Sequence, residues 1–299
     1  MFMPKAALVL ASGGSRGLAH IGAIEVLEER GFEITSVAGA SMGALVGGLY
    51  AAGGLDAFKE WMKTVDRMKV LFLMDFTIGN GGFVKGDKVI SELESIIPDK
   101  RIEDLDIPFT AVATDIRHRK EAVFDRGSLY DAIRSSISLP SVFTPNRIGD
   151  MLLIDGGVVN PIPLNRVART PGDLLVAVDL NAPYEEKHLP VHDGRLARVR
   201  RRIENMVDAV SDKVKKNEVD RAVKMEDDDD GGMGIVTVLN ESSSMMIQTN
   251  SELSLALYPP DILVRIAKNA YSTMEFYKFD EIVRLGREKT EEALRRYGM

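Results

Sequence analysis

The chain has 299 residues, of which 45% are hydrophobic, and this is enough to build one large domain or two modest ones. Its formal charge of -7 argues against nucleic acid as a partner, because phosphate binding requires a basic face. The absence of cysteine excludes disulfides and metal sites with thiolate ligands.

The first part of the chain alternates between strand-like and helix-like segments. Residues 6–10 form an apolar run that is too short for a signal peptide and predicts a first strand, which favours a cytoplasmic protein. A glycine-rich turn follows, and a helix is predicted over 18–29 with Gly31 as its C-terminal stop. Residues 34–38 predict a second, buried strand, and a helix follows from Ala44.

The uncharged stretch 34–55 permits a different interpretation. It is long enough to span a bilayer, and Gly39, Gly43 and Gly47 have the spacing of small residues in paired membrane helices. Six of its residues are glycine and few are leucine or phenylalanine, so its insertion into a bilayer would be marginal. We therefore prefer a buried strand, a turn and a closely packed helix.

Residues 55–105 interrupt the alternation and predict a helical, cap-like insertion. Two interpretations stay open for its large apolar side chains: they fill the core of a helical subdomain, or they line an acyl-chain pocket beside the serine described below. The side chains that would contact the acyl chain are Trp61, Leu71, Phe72 and Phe76.

The middle and the end of the chain again alternate between strand-like and helix-like segments. Strands are predicted at 109–114, 151–154, 174–179 and 262–266, and residues 121–124 are expected to pair back onto the first of these. A closing surface helix is predicted over 281–296. The pattern predicts an α/β fold in which helices flank a mostly parallel sheet, within a single domain over 1–299.

A looser helical region is predicted at about 185–257. Residues 195–225 combine helical apolar spacing with arginines, which is typical of a solvated helix packed on a domain or of a helix lying on an anionic membrane. The acidic run 226–232 lacks the ligand spacing of a calcium loop and predicts a disordered loop. We expect no metal and no cofactor.

A serine between a predicted strand and a predicted helix is the strongest chemical signal. The Gly-x-Ser-x-Gly pattern of a turn that exposes a nucleophilic hydroxyl is formed by Gly39, Ala40, Ser41, Met42 and Gly43. A second turn just upstream can direct backbone N–H groups at a developing negative charge, and it consists of Gly13, Gly14, Ser15, Arg16 and Gly17.

A serine nucleophile needs a base, and the four histidines offer no persuasive one. They are His20, His118, His188 and His192. Asp155 is the better candidate, because it ends a short apolar strand at the edge where open α/β sheets bind ligands. Gly156 and Gly157 follow it and permit a tight turn beside the carboxylate. The alternative is an aspartate that only satisfies N–H groups of the turn.

These three motifs occur in the order found in the patatin-like phospholipase family, which the chain resembles. The likeness covers residues 6–179, includes the segment 132–140, loosens over 185–241 and resumes near 259–261. Ser12 stands where some members carry a further glycine. The resemblance implies a three-layer α/β/α fold and a lipid acyl hydrolase with a Ser41–Asp155 dyad, without histidine or metal. The resemblance also implies that the protein binds a lipid or another acyl ester as its substrate and contacts a membrane peripherally.

In this mechanism Asp155 accepts the proton of Ser41, and backbone N–H groups hold the oxyanion. The expected oxyanion residues are Gly13, Gly14, Ser15, Arg16, Gly17 and Met42. Three other functions stay open. An acyltransferase would use the same serine, a nucleotide-binding protein would use the glycine turn, and a lipid-binding regulatory module would not react with a fluorophosphonate.

Overall fold

We describe the protein from a computed structural model that covers residues 3–73, 86–140, 142–185 and 235–299. The strands in these ranges are β1 (Lys5–Leu10), β2 (Glu33–Ala40), β3 (Phe109–Asp115), β4 (Lys120–Phe124), β5 (Asn146–Ile148), β6 (Met151–Asp155), β7 (Leu174–Ala182) and β8 (Ile262–Ala267). The α-helices there are α1 (Ala19–Glu29), α2 (Met42–Ala51), α3 (Leu55–Lys63), α4 (Arg67–Leu73), α5 (Asp87–Ile96), α6 (Leu129–Ser136), α7 (Ile235–Leu257) and α8 (Phe279–Tyr297).

One sheet contains all of these strands and is mostly parallel. Its hydrogen-bonded neighbours follow the path β5-β6-β3-β2-β1-β7-β8, and β4 also pairs with β3. The pairs among β3, β2, β1, β7 and β8 are parallel. The two hairpins, β3–β4 and β5–β6, contribute the antiparallel pairs together with β3–β6. The fold is therefore the predicted mixed α/β architecture with a central parallel sheet.

Helices cover both faces of this sheet, as the alternation along β1 shows. Ala6, Leu8 and Leu10 belong to the large core that includes side chains of α1, α2 and α8. The intervening Ala7 and Val9 belong to a smaller core that includes Leu255 of α7. Successive side chains of a strand point to opposite faces, so β1 is buried on both sides. This arrangement forms the three layers α/β/α.

The pairing of β3 brings the ends of two other strands together. Its residues 111–115 pair with β4 along one side. On the other side, Val112 pairs with Ala40 of β2, and the next residue, Ala113, pairs with Asp155 of β6. The ends of β2 and β6 therefore meet along the same side of β3. The residue after Ala40 is Ser41, which places the predicted nucleophile beside the predicted base.

The predicted strands and the closing helix are confirmed, with bounds that differ by a few residues. The strand β5 was not predicted, because three residues are too few to show an alternating pattern. The glycine turn forms a short 3₁₀ helix, Gly14–Leu18, before α1 begins. The cap-like region contains α3, α4 and α5.

The bilayer-spanning interpretation of residues 34–55 is wrong, because these residues form β2, α2 and the start of α3. In the ranges that the structure covers, no helix combines the length and apolarity needed to cross a membrane. The predicted amphipathic helix at 195–225 and the acidic loop at 226–232 lie outside the described residues. The final part of the looser region forms α7.

Candidate active site

Ser41 occupies a strained turn between β2 and α2. Its backbone angles are φ 54° and ψ −124°, and a positive φ is rare for residues other than glycine. The flanking glycines leave the turn room against its neighbours. A Cβ at Gly39 would lie 2.3 Å from the carbonyl oxygen of Gly43, and one at Gly43 would lie 2.0 Å from that of Leu10. The two glycines of the Gly-x-Ser-x-Gly pattern are therefore required because the turn packs closely on itself and on β1.

Asp155 contacts the hydroxyl of Ser41 directly. The distance from Ser41 Oγ to Asp155 Oδ2 is 2.5 Å, and the other carboxylate oxygen, Oδ1, accepts the N–H of Gly157 at 2.7 Å. The side chain is 3% exposed. Burial raises the pKa of Asp155 to about 6, against the opposing effect of these two hydrogen bonds. A carboxylate with this pKa is a stronger base than an exposed aspartate.

The two glycines after Asp155 fit a narrow space beside β3 and β1. A Cβ at Gly156 would lie 2.1 Å from the carbonyl oxygen of Val112. A Cβ at Gly157 would lie 2.6 Å from Ser12 Oγ and 2.9 Å from the carboxylate oxygen Oδ1 of Asp155. A larger residue at either position would displace the carboxylate or the strand that positions it.

The glycine turn lies against this pair and provides backbone donors. Gly14 has φ +58°, the conformation that favours glycine, and begins the 3₁₀ helix. The N–H groups of Gly13, Gly14 and Met42 donate to no other group in the described part of the chain. The last two of these stand at the first positions of helices, where N–H groups have no intrahelical acceptor.

The other three residues of the predicted oxyanion set have different surroundings. The N–H of Ser15 donates to the carbonyl of Thr273 at 2.9 Å, so this group already has an acceptor. Gly17 allows the turn to pack on α2, because a Cβ there would lie 2.3 Å from the Cβ of Met42. The Arg16 guanidinium is buried and donates through Nη1 to the carbonyl of Tyr271 at 2.7 Å.

Two cavities meet at Ser41. The first, of about 110 Å³, is apolar and extends under the cap-like helices, with a lining that includes Leu45, Phe58, Trp61, Val89 and Phe143. The second, of about 720 Å³, has a mixed lining that includes Gly13, Arg16, Asp155, Glu241 and Met245, and α7 bounds one side of it. Because it carries more polar groups than the first, we call it the polar cavity. Gly14, Thr273 and Met274 line both cavities. An ester bound at Ser41 can therefore extend into an apolar and a polar space at once.

Trp61 is the one residue of the predicted acyl-contact set whose side chain the structure describes, and it lines the apolar cavity. The backbone of Leu71 and Phe72 belongs to α4, but their side chains and the whole of Phe76 lie outside the described residues.

Neither described histidine lines these cavities. The ring of His20 is buried against the carbonyl of Ala11, with a distance of 2.8 Å from Nε2, and burial lowers its pKa to about 4. His118 lies 2.5 Å through Nδ1 from a carboxylate oxygen of Asp115 in the β3–β4 turn. His188 and His192 lie outside the described residues. Within the described ranges, no group of three or more acidic or histidine side chains is placed to hold a metal ion.

Sequence reasoning missed two serines that hydrogen-bond to the backbone of Ser41 and Asp155. Ser136 accepts the N–H of Ser41 at 2.8 Å, and the carbonyl of Ser138 accepts the N–H of Asp155 at 2.9 Å. Both lie in the segment 132–140 that carries part of the family resemblance. That resemblance marked the segment but gave no signal for either residue's role.

The sequence match to known proteins covers this site. The family model described as "Patatin-like phospholipase" matches residues 8–168, more than half of the chain, and this range contains both Ser41 and Asp155. The chain belongs to the patatin-like phospholipase family. Membership of this family supports a lipid hydrolase activity in general terms.

Two sequence relatives agree with the family assignment. The chain is 34% identical to an uncharacterized NTE family protein of Mycobacterium bovis, over 97% of this chain and 91% of that protein. It is 33% identical to patatin-like phospholipase domain-containing protein 6 of Mus musculus, over 60% of this chain but only 14% of the mouse protein. Among solved structures, the match to VipD from Legionella pneumophila covers 99% of this chain and 67% of the VipD chain, with 14% identity and a TM-score of 0.49.

Proposed function

We propose that the protein hydrolyses acyl esters of lipids, with Ser41 as the nucleophile and Asp155 as the general base. The observation that carries this proposal is the 2.5 Å contact between Ser41 Oγ and Asp155 Oδ2 at the junction of an apolar and a polar cavity. A serine hydroxyl is a weak nucleophile until a base accepts its proton. No described histidine lies close enough to Ser41 to form the same contact.

The proposed reaction has two halves. Asp155 accepts the proton of Ser41 as Oγ attacks the ester carbonyl, and the N–H groups of Gly13, Gly14 and Met42 stabilise the oxyanion. The tetrahedral intermediate collapses, and the alcohol leaves with the proton from Asp155. Water then attacks the acyl-enzyme while Asp155 again accepts a proton. The second tetrahedral intermediate then releases the fatty acid, and Asp155 returns the proton to Ser41 Oγ.

The two cavities orient the substrate in this proposal. The acyl chain occupies the apolar cavity, because each methylene removed from water contributes about 0.8 kcal/mol. The alcohol part of the ester, which carries the polar groups of a lipid, occupies the polar cavity. Ser41 lines both spaces, so in this proposal the scissile bond lies at their junction.

Covalent labelling tests the assignment. A fluorophosphonate should add once to the wild-type protein, as seen by intact mass, and should not add to Ser41→Ala. Ser243→Ala is a matched control, because Ser243 lines the polar cavity but lies outside the dyad, and this variant should still be labelled. Labelling that persists in Ser41→Ala would refute the nucleophile. A wild-type protein that binds lipid but is neither labelled nor active would be a lipid-binding module.

A further inference from the structure

The carbonyl of Ser12 stands just before the glycine turn, beyond the end of a strand pair. The parallel pairing of β1 with β7 ends at Leu10 and Val178, and the N–H of Ala11 adds one more hydrogen bond, to the carbonyl of Val178 at 3.1 Å. The carbonyl of Ser12 has a side-chain partner instead, because Nδ2 of Asn181 donates to it at 3.0 Å. The Asn181 side chain therefore continues a connection that the two backbones have ended.

This contact acts on the same peptide group that carries the N–H of Gly13. The carbonyl oxygen of Ser12 and the N–H of Gly13 belong to one planar, trans peptide unit, in which the two groups point in opposite directions. A partner that holds the oxygen therefore also sets the direction of the N–H. That N–H is one of the three proposed oxyanion donors, and it has no acceptor among the residues that the structure describes.

Gly13 itself provides little restraint on this peptide unit. A Cβ at Gly13 would lie 2.6 Å from Cδ1 of Leu180, so the close approach of β7 requires glycine at this position. Glycine has the widest choice of backbone angles, and the peptide before it rotates more easily than one before a residue with a side chain. The strand that excludes a side chain at Gly13 thus supplies, from the residue after Leu180, the hydrogen bond that limits this rotation.

Asn181 is held in place for this contact. It is 2% exposed, and its N–H donates to Oδ1 of Asp179 at 2.9 Å. Its Nδ2 also lies 3.4 Å from Oγ of Ser251 on α7. Because a carbonyl oxygen can only accept a hydrogen bond, the amide nitrogen of Asn181, and not its oxygen, faces Ser12. The residue lines the polar cavity beside Ser41.

We propose that Asn181 is a positioning residue for ester hydrolysis, which acts by directing the N–H of Gly13 at the oxyanion. Its hydrogen bond to the carbonyl of Ser12 fixes the peptide unit before the reaction begins. The donor then needs no reorientation as negative charge develops on the substrate, which is the condition under which such donors are most effective. The inference rests on the proposed hydrolase function, because it assigns a residue to the oxyanion site of that reaction.

Two variants that lack the donor test the kinetic role: Asn181→Ala, and Asn181→Leu, which keeps a side chain of similar shape. Removing an oxyanion donor outright costs about 10²- to 10³-fold in kcat, and a donor that is only freed to rotate should cost less. We therefore expect kcat on a short-chain ester to fall roughly 10- to 100-fold. KM should stay within about threefold of wild type, because the donor acts mainly in the transition state. Ser251→Ala is the matched control, since it removes the other contact of Nδ2 and should keep kcat within about threefold.

A transition-state analogue reports on the oxyanion itself. A trifluoromethyl ketone, labelled with carbon-13 at its carbonyl, is attacked by Oγ of Ser41, whose proton passes to Asp155, and the ketone oxygen becomes the anion of a tetrahedral adduct. The chemical shift of the labelled carbon follows the ionisation of this oxygen, whose pKa is lower the better its charged form is hydrogen-bonded. In both Asn181 variants we expect the midpoint of this titration to rise by about one to two pH units, in step with the loss of kcat. Ser251→Ala should leave it unchanged.

The outcomes separate this inference from the proposed function. A wild-type protein that neither hydrolyses esters nor forms the adduct would refute the hydrolase itself. If the wild type does both and the two Asn181 variants keep its kcat, the hydrolase stands and the positioning role is wrong. A loss of kcat with an unchanged titration of the adduct, together with a lower melting temperature, would show that Asn181 only stabilises the packing of β1 against β7. That result would also overturn the inference.

Discussion

Ser136 holds the backbone of Ser41 in its strained conformation. Its hydroxyl accepts the Ser41 N–H at 2.8 Å and donates to the carbonyl of Val112 at 2.6 Å. All three groups are buried. The side chain therefore links the turn of Ser41 to β3, the strand with which Asp155 also pairs.

Replacing Ser136 by alanine should reduce both stability and activity. The buried N–H of Ser41 and the carbonyl of Val112 would each lose a partner, which costs about 1–3 kcal/mol for a buried polar group. The freed turn should also move Ser41 relative to Asp155, so we expect kcat to fall roughly 10- to 100-fold. Ester kinetics and thermal unfolding measure the two effects.

Ser135→Ala is the matched control for this variant. Ser135 is equally buried on α6, but its hydroxyl donates to the carbonyl of Asp131 and does not touch the turn. It should lose stability without a comparable loss of kcat. If the two variants behaved alike, the role of Ser136 would be that of an ordinary buried serine.

The activity should fall at acidic pH because Asp155 must be ionised to accept a proton. With the pKa raised to about 6, kcat/KM should decline below that pH by about tenfold per unit. Asp155→Asn should lose about 10²- to 10⁴-fold at neutral pH, the usual contribution of a positioned base. A wild-type profile that stays flat down to pH 4 would contradict this role.

The same pKa shift predicts how Asp155 affects stability. Burial raises the folded-state pKa from 3.8 to about 6, so the folded protein binds this proton more tightly than the unfolded chain. Ionising Asp155 therefore costs stability progressively between these two values and fully above them, by on the order of 3 kcal/mol. Relative to wild type, Asp155→Asn should melt higher at pH 7 than at pH 4. Melting curves at both values check the sign.

Removing the ring of His118 should leave ester hydrolysis largely intact. The ring lies in the β3–β4 turn against Asp115 and does not line either cavity. We therefore expect kcat/KM of His118→Ala to stay within about threefold of wild type, since substitutions remote from the reacting atoms leave transition-state contacts in place. A loss as deep as that of Ser41→Ala would require a histidine in the mechanism.

Filling the apolar cavity should shorten the preferred acyl chain. Val89 lines this cavity from α5, and Val89→Phe would take up part of the space. Displacing about two methylenes costs roughly 1.6 kcal/mol, so long-chain esters should lose about tenfold in kcat/KM while short-chain esters change little. Ile90→Phe is the control, because Ile90 follows Val89 on the same helix and packs on the core without lining the cavity. A chain-length profile that moves equally in both variants would indicate general disruption of the cap.

The glycine motifs could be read from the sequence because each reports a local steric limit. Gly39, Gly43 and Gly156 all approach backbone carbonyl oxygens too closely for a Cβ. Because glycine is required at these positions, each motif has a fixed spacing that can be recognised in a sequence. The alternation of apolar segments predicted the sheet in the same local way. The position of Asp155 at a strand end was predicted on the same grounds.

Contacts between distant segments could not be read in the same way. The acceptor for the Ser15 N–H is the carbonyl of Thr273, a backbone group that any residue type supplies. Ser136 is an ordinary polar residue until tertiary packing brings its hydroxyl to the N–H of Ser41. The antiparallel pairing of β6 with β3 also depends on tertiary packing, because the local pattern of a short apolar strand does not specify its partner.

The pairing of Ala40 and Asp155 with consecutive residues of β3 has a consequence for protein engineering. The separation of Ser41 and Asp155 is fixed by the backbone pairing of β2 and β6 with β3. The cap helices α3 to α5 and the helix α7 take no part in this pairing. Chimeras that exchange these helices with those of a relative should alter which lipid is accepted while the chemistry persists. A single residue inserted between Val112 and Ala113 would instead shift one strand end past the other and separate the pair.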